Sequence, residues 1–265
     1  MESNVYGTEI PRDHAFRSKR LVDIQAMGDD AGLRLAALEL QSTAEAYSYG
    51  YQQEWCGVPV IRLPDDIVIF QEIVWHCRPR FIVETGIARG GSLQLSASLL
   101  ALLDLADFLN NDGQGKTLPK RKVVGIDVEI RSHAYAAIEN SFLKPWIDMI
   151  ECDSTDATLI PKLQKLTENY EKVMVILDSN HSRALVSQDL KLYSEFVTTE
   201  SYLIVFDTVI AFLDVQLPGR TWGPGNSPLE AVEDFLLENP LFEIDHSLSS
   251  KLGISCAPNG FLKKN

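Results

Sequence analysis

The chain has 265 residues, of which 45% are hydrophobic, and carries a formal net charge of −13. That length suits one large α/β domain behind a short N-terminal extension, and so acidic a chain lacks the field of Lys and Arg that a nucleic-acid backbone requires. Cys56, Cys77, Cys152 and Cys256 show neither a C-x-x-C pair nor regular spacing, which argues against a zinc knuckle or a disulfide framework and for a reducing, cytoplasmic setting.

Residues 1–29, with Glu2, Glu9, Arg12, Asp13 and Arg17, are polar and mixed in charge, and read as an arm. They lack the basic-then-apolar order of a signal peptide, and no apolar run of membrane-spanning length is expected. From Leu33 to about Tyr49, Leu, Ala and Tyr recur at helical spacing, which predicts an amphipathic helix that packs on the core or joins copies into a homo-oligomer. The division that follows is an extension and helix over 1–50 and a main domain over 51–265. Asp65 after Pro64 predicts the N-cap of a helix reaching His76.

Beyond it, short β-branched runs alternate with helical stretches, the pattern of a doubly wound, Rossmann-like, mostly parallel sheet covered on both faces. The expected strands are Phe81–Glu84, Val123–Asp127, Ile147–Cys152, Val173–Leu177 and Tyr202–Phe206, with helices at Leu93–Leu109 and Pro228–Glu238. Asn110–Arg121 reads as an inserted loop, and Phe242–His246 with Ile254–Ala257 as a closing antiparallel pair around the turn Pro258-Asn259-Gly260.

Ligands of such sheets bind beyond the carboxyl ends of the strands, so those ends carry the functional reading. After the first strand comes Glu84-Thr85-Gly86-Ile87-Ala88-Arg89-Gly90-Gly91-Ser92, in which the glycines permit a sharp turn and Ser92 can cap the next helix. This is not G-x-G-x-x-G, and Glu84 would repel a pyrophosphate while suiting a cationic sulfonium cofactor. Gly86, Ala88, Gly91 and Ser92 are therefore candidate cofactor contacts, with Asp127 for ribose hydroxyls and Asp153 and Ser154 for an adenine edge. Asp178 and Asp207 end the fourth and fifth strands and can share a hard cation such as Mg²⁺, which would activate an acceptor hydroxyl. His181 lies three residues past Asp178, placed to take that hydroxyl's proton. Arg220 to Asn226, containing Trp222, reads as a substrate-covering loop.

The runs ETGIARGGS, VVGIDVEIR, LDSNH and WGPG together resemble the cephalosporin hydroxylase family over about residues 50–260. That resemblance implies an S-adenosylmethionine-dependent methyltransferase fold similar to metal-dependent catechol and sugar O-methyltransferases, with Asp178 and Asp207 as Mg²⁺ ligands. Two positions depart. Phe206 precedes Asp207 where the family often carries Glu, leaving Thr208 as a weak substitute donor, and His181 stands where catechol-type enzymes place Lys.

The expected activity is O-methylation of a small hydroxylated acceptor, a sugar or a secondary metabolite. An NAD-dependent oxidoreductase is disfavoured by the glycine spacing. An iron oxygenase is disfavoured because none of the five histidines is followed at +2 by a carboxylate. A non-catalytic oligomeric partner of an oxidative enzyme is the alternative outside methyl transfer.

Overall fold

The computed structural model describes residues 14–110, 119–213 and 220–265. The stretch read as an arm is helical from His14 onward, as α1 (His14–Asp29), while residues 1–13 lie outside the described residues. Its apolar side chains form no buried stripe, since Phe16, Leu21 and Val22 are all exposed, and so hydrophobic periodicity does not reveal it. Pairs at i,i+4 support it instead: Lys19 Nζ reaches Asp23 at 2.6 Å and Gln25 Nε2 reaches Asp29 at 3.0 Å. Helix α2 (Ala31–Glu45) begins earlier than expected because Asp30 accepts the Leu33 amide at 2.9 Å, and it stops short of Tyr49.

A hairpin follows that the sequence reading did not anticipate, β1 (Gln53–Trp55) and β2 (Val58–Val60). Its two-residue turn is Cys56-Gly57, both at positive φ (52° and 79°), and only the Gly at its second position signals it. Helix α3 (Pro64–Cys77) starts with Pro64 at its first turn. Asp65 is thus not its N-cap; its carboxylate accepts the amides of Gly253 and Ile254 at 3.0 and 3.3 Å.

The alternating elements then run β3 (Phe81–Thr85), α4 (Gly91–Asn110), β4 (Lys122–Asp127), α5 (Ser132–Glu139), β5 (Ile147–Glu151), α6 (Leu159–Thr167), β6 (Val173–Leu177), α7 (Arg183–Tyr193) and β7 (Tyr202–Val205). After them come α8 (Pro228–Glu238), β8 (Phe242–Ile244), α9 (His246–Ser249) and β9 (Phe261–Lys264). All five expected parallel strands are present, each end within one residue of its expected place. The seven-stranded sheet has the order β5-β4-β3-β6-β7-β9-β8, with β9 antiparallel to both of its neighbours. The closing pair therefore forms, but from Phe261–Lys264 and not from Ile254–Ala257. That earlier segment bonds to α3 instead, the Cys256 amide and the Ser255 hydroxyl both donating to Asp66, at 2.8 and 2.5 Å.

Helices cover both faces. One core joins α3, α4 and α5 to the sheet, the other α6, α7 and α8. Helix α4 has 20 residues and is long and apolar enough by composition to cross a bilayer, which corrects the expectation that no run reaches that length; half of its apolar window is buried inside the fold. Of the expected loop after α4, residues 111–118 lie outside the described residues. Its far end is fixed by the buried Arg121, whose Nη1 and Nη2 meet Asp104 and Asp107 at 2.5 and 2.8 Å. Strand order reverses between β3 and β6, so the crevice for a ligand opens at the ends of those two strands.

Candidate active site

The turn leaving β3 is shaped by what presses on it. Gly86 has φ +89°, and a Cβ there would sit 2.4 Å from the Asp178 carbonyl oxygen; one on Gly91 would sit 2.1 Å from that of Pro59. The turn is thus clamped between the end of β6 and the β2 hairpin strand. Asp127 braces it from the other side: its Oδ2 accepts the amides of Ile87 at 2.8 Å and Ala88 at 3.2 Å. The carboxylate expected to meet a ribose is therefore committed to backbone amides, and Asp127 does not line the cavity.

Three other expected cofactor residues are committed in the same way. Glu84 is fully buried, accepts the Ser96 hydroxyl at 3.0 Å, and lies behind the turn and not in the cavity. Burial pushes its carboxyl up, with the Arg62 charge and the Ser92 and Ser96 hydroxyls pulling it back. Asp153 is exposed and closes a local turn on the Thr155 amide and hydroxyl, at 2.9 and 2.8 Å. Ser154 is buried and donates to Asp189 at 2.9 Å, a carboxylate that also accepts Asn180 Nδ2 at 2.9 Å. Neither lines the cavity.

A cavity of about 520 Å³ lies at the switch point, a size ordinary for a small-molecule site. Gly86, Ala88, Gly91 and Ser92 line one side; Asp178, His181 and Asp207 line the other. His181 Nδ1 lies 3.0 Å from Asp207 Oδ2, close but off the hydrogen-bond direction, as catalytic pairs often are before a ligand tightens them. Asp207 holds its place from a left-handed backbone, φ 60°. The imidazole packs against Trp222 with ring centroids 5.0 Å apart, so the expected covering loop does reach the cavity. Burial lowers the His181 pKa, but the close approach of Asp207 and the charges of Asp207 and Asp178 more than offset this, and it ends above the usual histidine value. Burial raises Asp178 to about 7, with Arg62 pulling down and Asp207 pushing up.

Several lining residues escaped the sequence reading. Gln41, Ser42 and Glu45 come from α2, Cys256 from the segment before β9, and Arg62 from the link between β2 and α3. Arg62 is the most consequential. It is 3% exposed, its Nη2 lies 3.3 Å from Asp178 Oδ2 and 3.9 Å from Glu84 Oε1, and its guanidinium carbon sits 3.4 Å from the Phe206 ring centroid. No spacing or motif marks an isolated Arg that the fold buries later.

The residues present do not fit a Mg²⁺ cage. Mg²⁺ takes near-octahedral oxygen ligands at about 2.1 Å, yet Asp178 already faces a guanidinium and Asp207 an imidazole. Thr208, expected as a third donor, is fully buried and gives its hydroxyl to the Pro258 carbonyl at 2.7 Å. Phe206 contributes only a ring. Among the described residues, no group of three His, Cys, Asp or Glu side chains converges as metal ligands do.

Residues 47–265 match the family model described as rhamnosyl O-methyltransferase/CmcI. The rhamnosyl O-methyltransferase of Mycobacterium tuberculosis is 31% identical over 213 residues, 80% of this chain and 78% of that protein. Its counterpart in Mycobacterium leprae is 29% identical over 212 residues, 78% of this chain and 81% of that protein. In three dimensions, a solved structure of CmcI with Mg and SAM aligns with a TM-score of 0.52 at 18% identity, covering 81% of this chain and 77% of that one. This last likeness is one of fold, and it agrees with the Rossmann-like architecture above. The resemblance drawn from the four sequence runs is borne out: the chain belongs to the rhamnosyl O-methyltransferase/CmcI family.

Proposed function

We propose that this methyltransferase acts on a hydroxyl of a sugar or another hydroxylated small molecule, with His181 as general base. The observation that carries the reading is the approach of His181 to Asp207 inside the cavity that the glycine-rich turn also lines. S-adenosylmethionine, when bound, supplies a methyl group on a sulfonium that leaves as a neutral thioether. Gly86, Ala88, Gly91 and Ser92 fit that cofactor because their side of the cavity is backbone and small side chains held open by Asp127 behind them.

His181 does the proton chemistry. Once a bound ligand draws Nδ1–H onto Asp207, Nε2 keeps its lone pair for the acceptor hydroxyl. Asp207 holds that tautomer and stabilises the imidazolium that forms, as the orienting acid of a catalytic triad does. Taking that proton would leave the acceptor oxygen free to act as the nucleophile toward the methyl group that the cofactor would supply. On the acceptor side, Trp222 offers a flat face for a sugar ring, and Gln41, Ser42 and Glu45 offer polar groups for its hydroxyls. The rhamnosyl O-methyltransferase relatives support a sugar as the first class to try.

Incubation with methyl-labelled S-adenosylmethionine and a panel of rhamnosides and other glycosides is the test. Label should appear as an ether on one acceptor class, and calorimetry should show S-adenosylhomocysteine binding. Failure of S-adenosylhomocysteine to bind the folded chain would overturn the assignment of the turn. Methyl transfer retained in full by His181→Ala would overturn the role of the base.

A further inference from the structure

The buried guanidinium of Arg62 has no part in the chemistry described above, yet it occupies the most electrostatically loaded point of the cavity. Its Nη2 reaches two carboxylates, Asp178 at 3.3 Å and Glu84 at 3.9 Å, and its guanidinium carbon lies over the Phe206 ring, 3.4 Å from the centroid. Burying a charge is costly unless it is paired, and Glu84 is fully buried while Asp178 is largely so. Arg62 supplies the missing positive charge to both.

We propose that Arg62 is the resident cation of this site, its guanidinium standing beside Asp178 where a divalent metal would have to bind, so that the cavity excludes Mg²⁺. The inference rests on the methyltransferase reading of the same cavity. A Mg²⁺ ligated by Asp178 Oδ2 would lie about 2.1 Å from that oxygen and hence within roughly 5.5 Å of Nη2. Two positive centres that close repel. Arg62 has nowhere to retreat: it is 3% exposed, and the aromatic face under it holds it by a cation–π contact. Phe206, at the position where the resembled family often carries Glu, offers no oxygen to outweigh the guanidinium, and its ring lies under Arg62 instead. Arginine suits this place better than lysine, since its planar fork can stack on the ring and face a carboxylate together.

The test uses Mn²⁺ as a spectroscopic stand-in for Mg²⁺, read by electron paramagnetic resonance on the full chain with saturating S-adenosylhomocysteine. The expected result is no stoichiometric Mn²⁺ binding up to millimolar metal in the wild-type protein. The double variant Arg62→Gln/Phe206→Glu should gain Mn²⁺ affinity by at least about tenfold, and Arg62→Lys, which keeps the charge, should stay close to wild type. A wild-type protein that binds one Mn²⁺ with micromolar affinity, quenched by Asp178→Asn, overturns the proposal. So does a folded double variant with no gain. Should the double variant fail to fold, the wild-type titration alone decides. S-adenosylhomocysteine binding, measured separately by calorimetry, tells failure of this proposal from failure of the methyltransferase reading.

Discussion

The carboxyl edge of the sheet has two halves that use similar residues differently. At the ends of β3, β4 and β5, the polar side chains are turned inward on the protein: Glu84 to Ser96, Asp127 to the Ile87 and Ala88 amides, Asp153 to Thr155 and Ser154 to Asp189. At the ends of β6 and β7, Asp178, His181 and Asp207 stay in the cavity, and their partners are one another and Arg62. The half proposed to hold the cofactor is thus made of backbone shape with side chains as bracing, whereas the half proposed to hold the acceptor is made of charge. Shape needs fixed dihedrals and close packing. Charge needs controlled protonation, and both shifted cavity groups of the second half, Asp178 and His181, titrate above their ordinary values.

The sharpest break of this contrast is His181→Ala. If the acceptor half does the chemistry, turnover should fall by roughly 10² to 10⁴, the usual worth of a general base. S-adenosylhomocysteine affinity should stay within about twofold, because nothing in the glycine-rich turn touches the imidazole. A parallel loss in both quantities would mean that the two halves are not separable. Gly91→Ala should do the converse. Its new Cβ would stand 2.1 Å from the Pro59 carbonyl oxygen, and overpacking of this kind costs about 1–3 kcal/mol. A lower Tm with the hairpin displaced from α4 is expected; an unchanged Tm with unchanged cofactor affinity would remove the clamp from the account.

How much of this was legible in the sequence follows the same division. The inner parallel strands were readable because they are buried on both faces and therefore rich in consecutive apolar residues, as in Val173–Leu177, whereas the edge strand β5 alternates buried and exposed positions. The glycine-rich turn was readable because its backbone demands glycine. That Asp178, His181 and Asp207 meet was readable because strand order alone brings the ends of β6 and β7 together. Helix α1 was not, since local side-chain pairs and not burial support it. The tail was misplaced because Ile254–Ala257 is apolar enough for a strand, yet its donors are taken by Asp65 and Asp66, almost two hundred positions earlier in the chain. Side-chain commitment was the least legible feature. An Asp at a strand end looks the same in sequence whether it faces a ribose or a backbone amide, and Arg62 carries no motif at all.

Asp127→Ala separates those two uses of a strand-end carboxylate. Loss of a charged acceptor is worth about 1.5–3 kcal/mol, so S-adenosylhomocysteine affinity should drop by about tenfold or more. The structure assigns that loss to the turn, so hydrogen exchange at the Ile87 and Ala88 amides should speed up even without ligand. Weakened binding with unchanged exchange would return Asp127 to direct ribose contact.

The smallest effect sharpens the acceptor half. His181 must be neutral to act as a base, and its pKa is raised by Asp207 and Asp178, so the rate should fall on the acid side with a midpoint above the ordinary histidine value near 6.5. Asp178, pushed up to about 7, titrates in the same window, and the limb therefore belongs to the interacting groups together. Asp207→Asn removes the nearby charge that favours imidazolium, so the midpoint should move to lower pH while the maximal rate also declines. Stability should follow with the opposite benefit. A raised histidine pKa stabilises the fold below the unfolded value and loses that contribution as pH rises through the folded one, so wild-type Tm should exceed that of Asp207→Asn by more at pH 6 than at pH 8.5. A midpoint that stays in place in Asp207→Asn, with a Tm difference independent of pH, would show that the 3.0 Å approach of His181 to Asp207 has no part in setting the base.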